Sequence, residues 1–343
     1  MRPTAFRIAG ERIYPGESKI VALEVARLYD FTEMKVPVQV VRGAKPGPTL
    51  FVCAAIHGDE INGVEIVKRL LQSPVLRKIS GTLIAVPIVN IFGFNIRSRY
   101  LPDRRDLNRS FPGSKEGSLA ARLADVFINE IVKRSSHGVD LHTGALHRYN
   151  LPQVRASLED SETRRIAEAF PVSVILNSSL RDGSLRQAAA DLNIPTLLFE
   201  GGQALRFEES VIRLGLRGVL SLMKEIEMIP RSGYESERRP KAFWAKSSHW
   251  LRAPQSGLFT AEVRVGKRVK RGQRLGVITN VFGEHLMEVR ATHSGLVIGE
   301  ALLPLVNRGD ALFHVATFED FGQFQEGEDW SVDEVLSRRG VDL

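Results

Sequence analysis

Between about residues 45 and 225, short apolar runs alternate with apolar stripes at helical spacing, a pattern that admits few architectures other than a sheet flanked by helices. The run Thr49 to Ile56 reads as a strand. After it, Ile61, Val64, Val67, Leu70 and Leu71 place apolar side chains on one face of a helix. Leu83 to Val89 repeats the strand signal, and Leu119, Leu123, Val126, Phe127 and Ile131 repeat the helical one. Val139 to His142, Val172 to Leu176 and Thr196 to Phe199 add strands, and a long helix over Phe207 to Met228 carries Val211, Leu214, Val219, Leu222 and Ile226. The expected fold class is α/β.

The pattern then changes. Ile229 to Arg239 holds Pro230, Ser232, Gly233, Ser236 and many charges, the composition of a linker. From Trp250 to Phe318 short alternating runs are separated by glycine turns, as in a small all-β module. A weak repeat runs through it: Ala253-Pro-Gln-Ser-Gly257 is echoed by Ala291-Thr-His-Ser-Gly295, each followed by a turn glycine, Gly272 or Gly309. The expected division is an α/β domain over 1–228, a linker over 229–249 and a β-rich accessory domain over 250–343. A length of 343 residues, too great for one ordinary core, agrees with this.

Several function classes are disfavoured. The net charge of +7 is scattered in isolated pairs such as Arg164-Arg165, and the basic turn Lys267, Arg268, Lys270, Arg271 has no interleaved aromatics, so nucleic acid is not expected as a partner. The longest apolar stretch, around Leu83 to Phe94, is broken by Pro87 and Asn90, and the start of the chain has no leader-like run. No membrane is expected, and a cytoplasmic protein is. The lone Cys53 sits in an apolar run and reads as a buried structural thiol. Nothing in the chain decides its oligomeric state, which leaves room for a homo-oligomer.

The sharpest local feature is His57-Gly-Asp-Glu60, where an apolar strand ends and a helix begins. Strand ends are where α/β folds build sites. An imidazole and a carboxylate three residues apart across such a turn can aim at one point and form a zinc ligand pair, and Asp140-Leu-His142-Thr-Gly144 offers a third ligand at another strand end. Two histidines and one glutamate leave a fourth position for water, as catalytic zinc requires. Each residue also has a plainer reading: a hydrogen-bonded histidine, or a glutamate favoured by the first turn of a helix. Between the two segments, Asn108 and Arg109 lie in an arginine-rich loop that is either charged surface or a grip for a carboxylate.

These motifs resemble the succinylglutamate desuccinylase and aspartoacylase branch of zinc-carboxypeptidase-like enzymes. The resemblance rests on Gly47-Pro-Thr-Leu, His57-Gly-Asp-Glu60-Ile-Asn-Gly63, Arg105-Asp-Leu-Asn-Arg109 with Phe111-Pro-Gly113, Asp140-Leu-His-Thr-Gly144 and Phe199-Glu-Gly-Gly202, in that order. It implies a mixed sheet flanked by helices with a small C-terminal all-β, barrel-sandwich-like domain. It also implies one Zn2+ per chain, held by His57, Glu60 and His142, with Asn108 and Arg109 on the free carboxylate of a small N-acyl substrate. Arg99 would steady the oxyanion, with Arg104 and Arg105 close by as alternatives, and Glu200 would be the catalytic base. Glu200 follows the apolar strand Thr196 to Phe199 and has no local basic partner in the sequence, which suits a carboxylate that takes a proton from water. Arg155, Arg181 and Arg206 are either second anion contacts or surface charges. The C-terminal module resembles a biotinyl or lipoyl carrier, but its hairpin near Phe282-Gly-Glu-His-Leu-Met287 has no lysine to modify, so a carrier role is rejected.

The function expected is therefore zinc-dependent hydrolysis of the amide of an N-acyl amino acid or related N-acyl amine, with the attacking water activated by Glu200. The alternatives are a zinc carboxypeptidase acting on peptides and a non-catalytic binding protein.

Overall fold

The computed structural model describes residues 4–230 and 242–319. Its centre is a mixed sheet in which Thr196–Gln203, His137–Gly144, Lys45–Ala54 and Ser80–Val86 run parallel and side by side. The antiparallel strands Glu33–Arg42 and Ser18–Arg27 extend one edge. On the other side come Arg148–Ala156, Gly295–Ala301, Ala311–Thr317 and Ser247–Arg252. The chain is α/β, as its alternation of runs implied.

The central strands read as unbroken apolar runs because both of their faces are covered. Along Lys45–Ala54, Leu50, Val52 and Ala54 pack with Ile66 and Leu70 of helix Asn62–Gln72, with Ile166 of helix Ser161–Ala169 and with Val211, Leu214 and Leu222 of helix Glu209–Glu225. The intervening Phe51 and Cys53 pack on the opposite face with Leu123 and Phe127 of helix Leu119–Glu130 and with Leu185 of helix Leu185–Ala190. The period of two along the strand thus assigns its side chains to two separate cores.

Lys45–Ala54 and Ser80–Val86 begin and end earlier than expected from their apolar runs, which continue past the strand ends into buried loop residues such as Ile56 and Val89. Arg148–Ala156 gives no strand signal in sequence, since Pro152 and the polar Asn150, Gln153 and Arg155 interrupt it. It is nevertheless a central strand. Pro152 is tolerated where the pairing with Thr196–Gln203 shifts register between Glu200 and Gly202.

In the C-terminal region, Gly257–Ala261, Arg274–Thr279, His285–Arg290 and Leu305–Val306 form a separate four-stranded antiparallel sheet. The sequence repeat has a structural counterpart. Gly272 N–H donates to Ala291 O and Gly309 N–H to Ala253 O, both at 2.8 Å. Arg271 N–H donates to Ser294 Oγ at 3.0 Å, and Arg308 N–H to Ser256 Oγ at 2.9 Å. Each Ala-x-x-Ser segment therefore closes on the turn of the other half, and Gly272 and Gly309 both adopt the positive φ, +83° and +92°, that this turn needs. Of the stretch 229–249, residues 231–241 lie outside the described residues, and Phe243–Ala245 pairs in parallel with Val174–Asn177. No helix among the described residues is long and apolar enough to cross a membrane.

This region joins the main body through the pairing of Gly295–Ala301 with Arg148–Ala156, which brings Trp250 and His314 beside the end of the central sheet. His314 stacks on Trp250 at 4.5 Å and 5° and shares a 2.8 Å hydrogen bond with Ser248 Oγ. Burial, followed by the nearby Arg155 and His249, pushes its imidazole down to about 3. The unfolded chain takes a proton at the ordinary value of about 6.5, whereas the folded chain does not until about 3, so folding loses stability as pH falls through this window. Between pH 7 and 5 that loss is about 2 kcal/mol. Urea unfolding at both pH values should show a His314→Phe variant losing about 2 kcal/mol less than the unaltered protein over the interval; an identical loss would sink the assignment.

Candidate metal centre

The parallel strands end together. Glu200 stands opposite His142 in the pairing of Thr196–Gln203 with His137–Gly144, and Cys53 stands opposite Asp140 on the next strand, with His57 and Glu60 just beyond. Register alone therefore gathers at one sheet end residues far apart in sequence, at the ends where open α/β sheets bind ligands. The turn from Ala55 to Ile61 is tight. Ala55 takes a left-handed φ of +51°, a strained conformation for a residue with a side chain. A side chain at Gly58 would meet the Gly93 backbone at 2.1 Å, so only glycine lets the turn seat here.

His57, Glu60 and His142 are buried, and one candidate ligand atom from each lies within 4.8 Å of the others. His57 Nδ1 and His142 Nδ1 each sit 2.7 Å from a different oxygen of Glu60. Thr143 N–H also donates to Glu60 Oε2 at 3.1 Å. The far ring nitrogens are held as well: His142 Nε2 lies 2.9 Å from Asp140 Oδ2, and His57 Nε2 lies 3.1 Å from Asp106 Oδ1. A carboxylate on the far nitrogen of a histidine orients the ring and makes the near nitrogen a better donor to a metal. Asp140 in turn accepts a 3.5 Å contact from the Cys53 thiol, which burial and Asp140 keep protonated. Cys53 is thus structural.

The electrostatics call for a cation. Burial would lower both histidines and raise Glu60, but the mutual attraction of these groups, with Asp140 and Asp106 behind the histidines, outweighs it and reverses all three shifts. A divalent ion bound between these groups would take the place of protons on them. The residues present fit a single metal ion.

The cluster opens into a cavity of about 890 Å³. Arg99 lines it and reaches Glu60 Oε1 at 3.1 Å and Asp106 Oδ2 at 3.0 Å. Arg104 and Arg105 are exposed outside it, so of the three arginines only Arg99 faces the cluster. Asn108 and Arg109 line the same cavity. Asn108 Oδ1 accepts from Leu185 N–H at 2.9 Å, which fixes the amide and leaves Nδ2 as its donor. Gly183 packs directly on the Arg109 backbone and keeps this loop in place.

Glu200 also lines the cavity, but not without a basic partner. Arg155 Nε lies 2.5 Å from Oε2, and Asn150 Nδ2 donates to Oε1 at 2.7 Å. Both partners come from Arg148–Ala156, the strand the sequence hid, so the expectation that Glu200 lacks a basic neighbour is corrected by cross-strand pairing. Arg155 and Arg181 line the cavity, whereas Arg206 does not.

Sequence reasoning also missed Arg186 and Trp250. Arg186 is buried in the cavity wall and donates to Ser178 O at 2.7 Å, and burial together with Arg155 pushes it down to about 10. Trp250 brings the C-terminal region to the cavity, with the Arg148 guanidinium 5.3 Å over its ring. A lone tryptophan in a β-rich segment carries no signal for this position.

Residues 46–226, more than half of the chain, match the model of the succinylglutamate desuccinylase/aspartoacylase catalytic domain. Over 300 residues the chain is 27% identical to an N-alpha-acetyl-L-2,4-diaminobutyric acid deacetylase of Halomonas elongata, covering 82% of this chain and 85% of that protein. Among solved structures, a succinylglutamate desuccinylase/aspartoacylase from Rhodobacter sphaeroides is similar with a TM-score of 0.77 at 25% identity, covering 87% of this chain and 96% of that one. The product-bound ectoine utilization protein EutE (DoeB) from Ruegeria pomeroyi is similar in fold, with a TM-score of 0.79 at 22% identity over 88% of this chain and 94% of that one.

Proposed function

We propose that this chain, which belongs to the succinylglutamate desuccinylase/aspartoacylase family, is a zinc-dependent deacylase of small N-acyl amino acids. The observation that carries the reading is one shared cavity. In it a buried set of two histidines and one glutamate faces both a separate carboxylate, Glu200, and an amide and guanidinium pair, Asn108 and Arg109. A mixed set of imidazole and carboxylate donors suits zinc. The deacetylase activity named for the Halomonas elongata relative supports hydrolysis of an N-acyl amino acid.

When bound by His57, Glu60 and His142, zinc supplies Lewis-acid polarisation of the acyl carbonyl and a lowered pKa for water. Asn108 and Arg109 hold the free carboxylate of the substrate, the arginine fork matching its two oxygens. Glu200 takes a proton from the attacking water as the new carbon–oxygen bond forms. Arg99 faces the oxygen of the tetrahedral centre and balances its charge. Glu200 then hands the proton to the leaving nitrogen as the carbon–nitrogen bond breaks, which yields a carboxylic acid and a free amine. Arg155 and Asn150 hold the two oxygens of Glu200 in register for both transfers.

The test is a panel of N-acetyl, N-succinyl and N-formyl amino acids beside short peptides, offered to the zinc-loaded protein. Turnover of the acyl amino acids is expected. Preference for peptides would replace this reading with a carboxypeptidase, and a protein with no zinc and no turnover would be a binding protein.

A further inference from the structure

Asn150 lies between glycines on two neighbouring strands. It stands opposite Gly202 of Thr196–Gln203 on one side and opposite Gly299 of Gly295–Ala301, from the C-terminal region, on the other. Its side chain is buried, and its Nδ2 donates to Glu200 Oε1 while its Oδ1 has no partner among the described residues. The amide is therefore held on its oxygen side by packing, not by a second hydrogen bond. Gly299 shapes that side. A Cβ at this position would lie 2.6 Å from Asn150 Oδ1 and 3.2 Å from His314 Cβ, the first too close for carbon and oxygen and the second tight. Gly299 does not adopt a positive φ, so the backbone itself does not demand glycine here. What glycine supplies is room.

Of the two neighbours, Asn150 is the one that can yield. His314 is stacked on Trp250 and tied to Ser248, whereas Asn150 borders the cavity and its amide can swing into it. We propose that Gly299 is a positioning residue for the base, because it leaves Asn150 the room in which its amide meets Glu200. The inference rests on the deacylase reading, which makes Glu200 the base. Arg155 holds the other carboxylate oxygen, so without Asn150 the carboxylate is anchored at one oxygen and can turn about it. Through this contact the C-terminal region bears on the reaction, although Gly299 itself does not line the cavity.

The experiment compares Gly299→Ala, Asn150→Ala and the double variant with the unaltered zinc-loaded protein, on the best N-acyl amino acid of the panel. Each single variant should lower kcat by about tenfold or more with KM little changed, within the range for a catalytic group misplaced by about an ångström. The double variant should be no slower than Asn150→Ala, because alanine at position 150 removes both the obstructed amide and the contact it would lose. The side-chain NH2 signals of Asn150, identified by their absence in Asn150→Ala, report the contact without catalysis, and Gly299→Ala should shift them in 1H–15N spectra. Losses that add in the double variant, an unchanged kcat in Gly299→Ala, or unshifted NH2 signals would overturn the proposal. Should Gly299→Ala fail to fold, the double variant should regain the urea midpoint of Asn150→Ala, and its failure to do so would also overturn the proposal. Shifted signals in a protein whose unaltered form turns over no N-acyl amino acid would overturn the deacylase reading and leave the link from Gly299 to Asn150 standing.

Discussion

A Glu200→Gln protein is expected to bind zinc like the unaltered chain and to turn over N-acyl amino acids about a thousandfold more slowly, or worse. General acid–base catalysis typically contributes 10²–10⁴-fold, and in the proposed mechanism one carboxylate serves both proton transfers. Glutamine can still accept from Asn150, so the backbone and the metal cluster, of which Glu200 is not a member, should stay in place. What is lost is the ability to take a proton, and with it the charge that Arg155 answers. Zinc content by atomic emission and kcat under saturating substrate check the two halves of the prediction. Near-normal turnover with zinc bound would remove Glu200 from the mechanism.

The second large effect concerns stability. His142→Ala should abolish zinc binding and also destabilise the metal-free protein by about 3–5 kcal/mol, because it removes the hydrogen-bonded partner of the buried charge on Asp140 and leaves Arg186 to answer it without a direct contact. Asp140 is 0% exposed, and its remaining side-chain contact is the weak donor Cys53 at 3.5 Å. His57→Ala provides the contrast. The carboxylate it abandons, Asp106, is 17% exposed and keeps Arg99, so metal binding should be lost with a smaller loss of stability. Urea unfolding of all three proteins under chelation removes the contribution of bound metal from the comparison. Equal stabilities for the two variants would mean that Asp140 is not held chiefly by His142.

Much of the fold was legible because the central strands and the helices over them must bury apolar surface, and burial leaves periodic signals at two and 3.6 residues. Arg148–Ala156 left no such signal. Its buried or half-buried polar side chains Asn150, Gln153 and Arg155 interrupt the apolar pattern, and two of them, Asn150 and Arg155, reach Glu200 on the neighbouring strand, so the partners of Glu200 stayed hidden. The same reasoning explains Trp250 and Arg186. Each reaches the cavity through a long-range packing relation that no spacing along the chain records.

The sequence by itself determined the α/β alternation, the repeat in the C-terminal region and the set His57, Glu60 and His142. These follow from local rules: side-chain periodicity, the need for glycine in tight turns, and the short list of residue types that can hold a metal. Tertiary structure decided what surrounds that set. The carboxylates behind the two histidines, the choice of Arg99 over Arg104 and Arg105 and the pairing of Glu200 with Arg155 all depend on strand register and loop packing. Charge interactions decay over a few ångströms, so their partners are set by distance in the folded chain and not by distance along it.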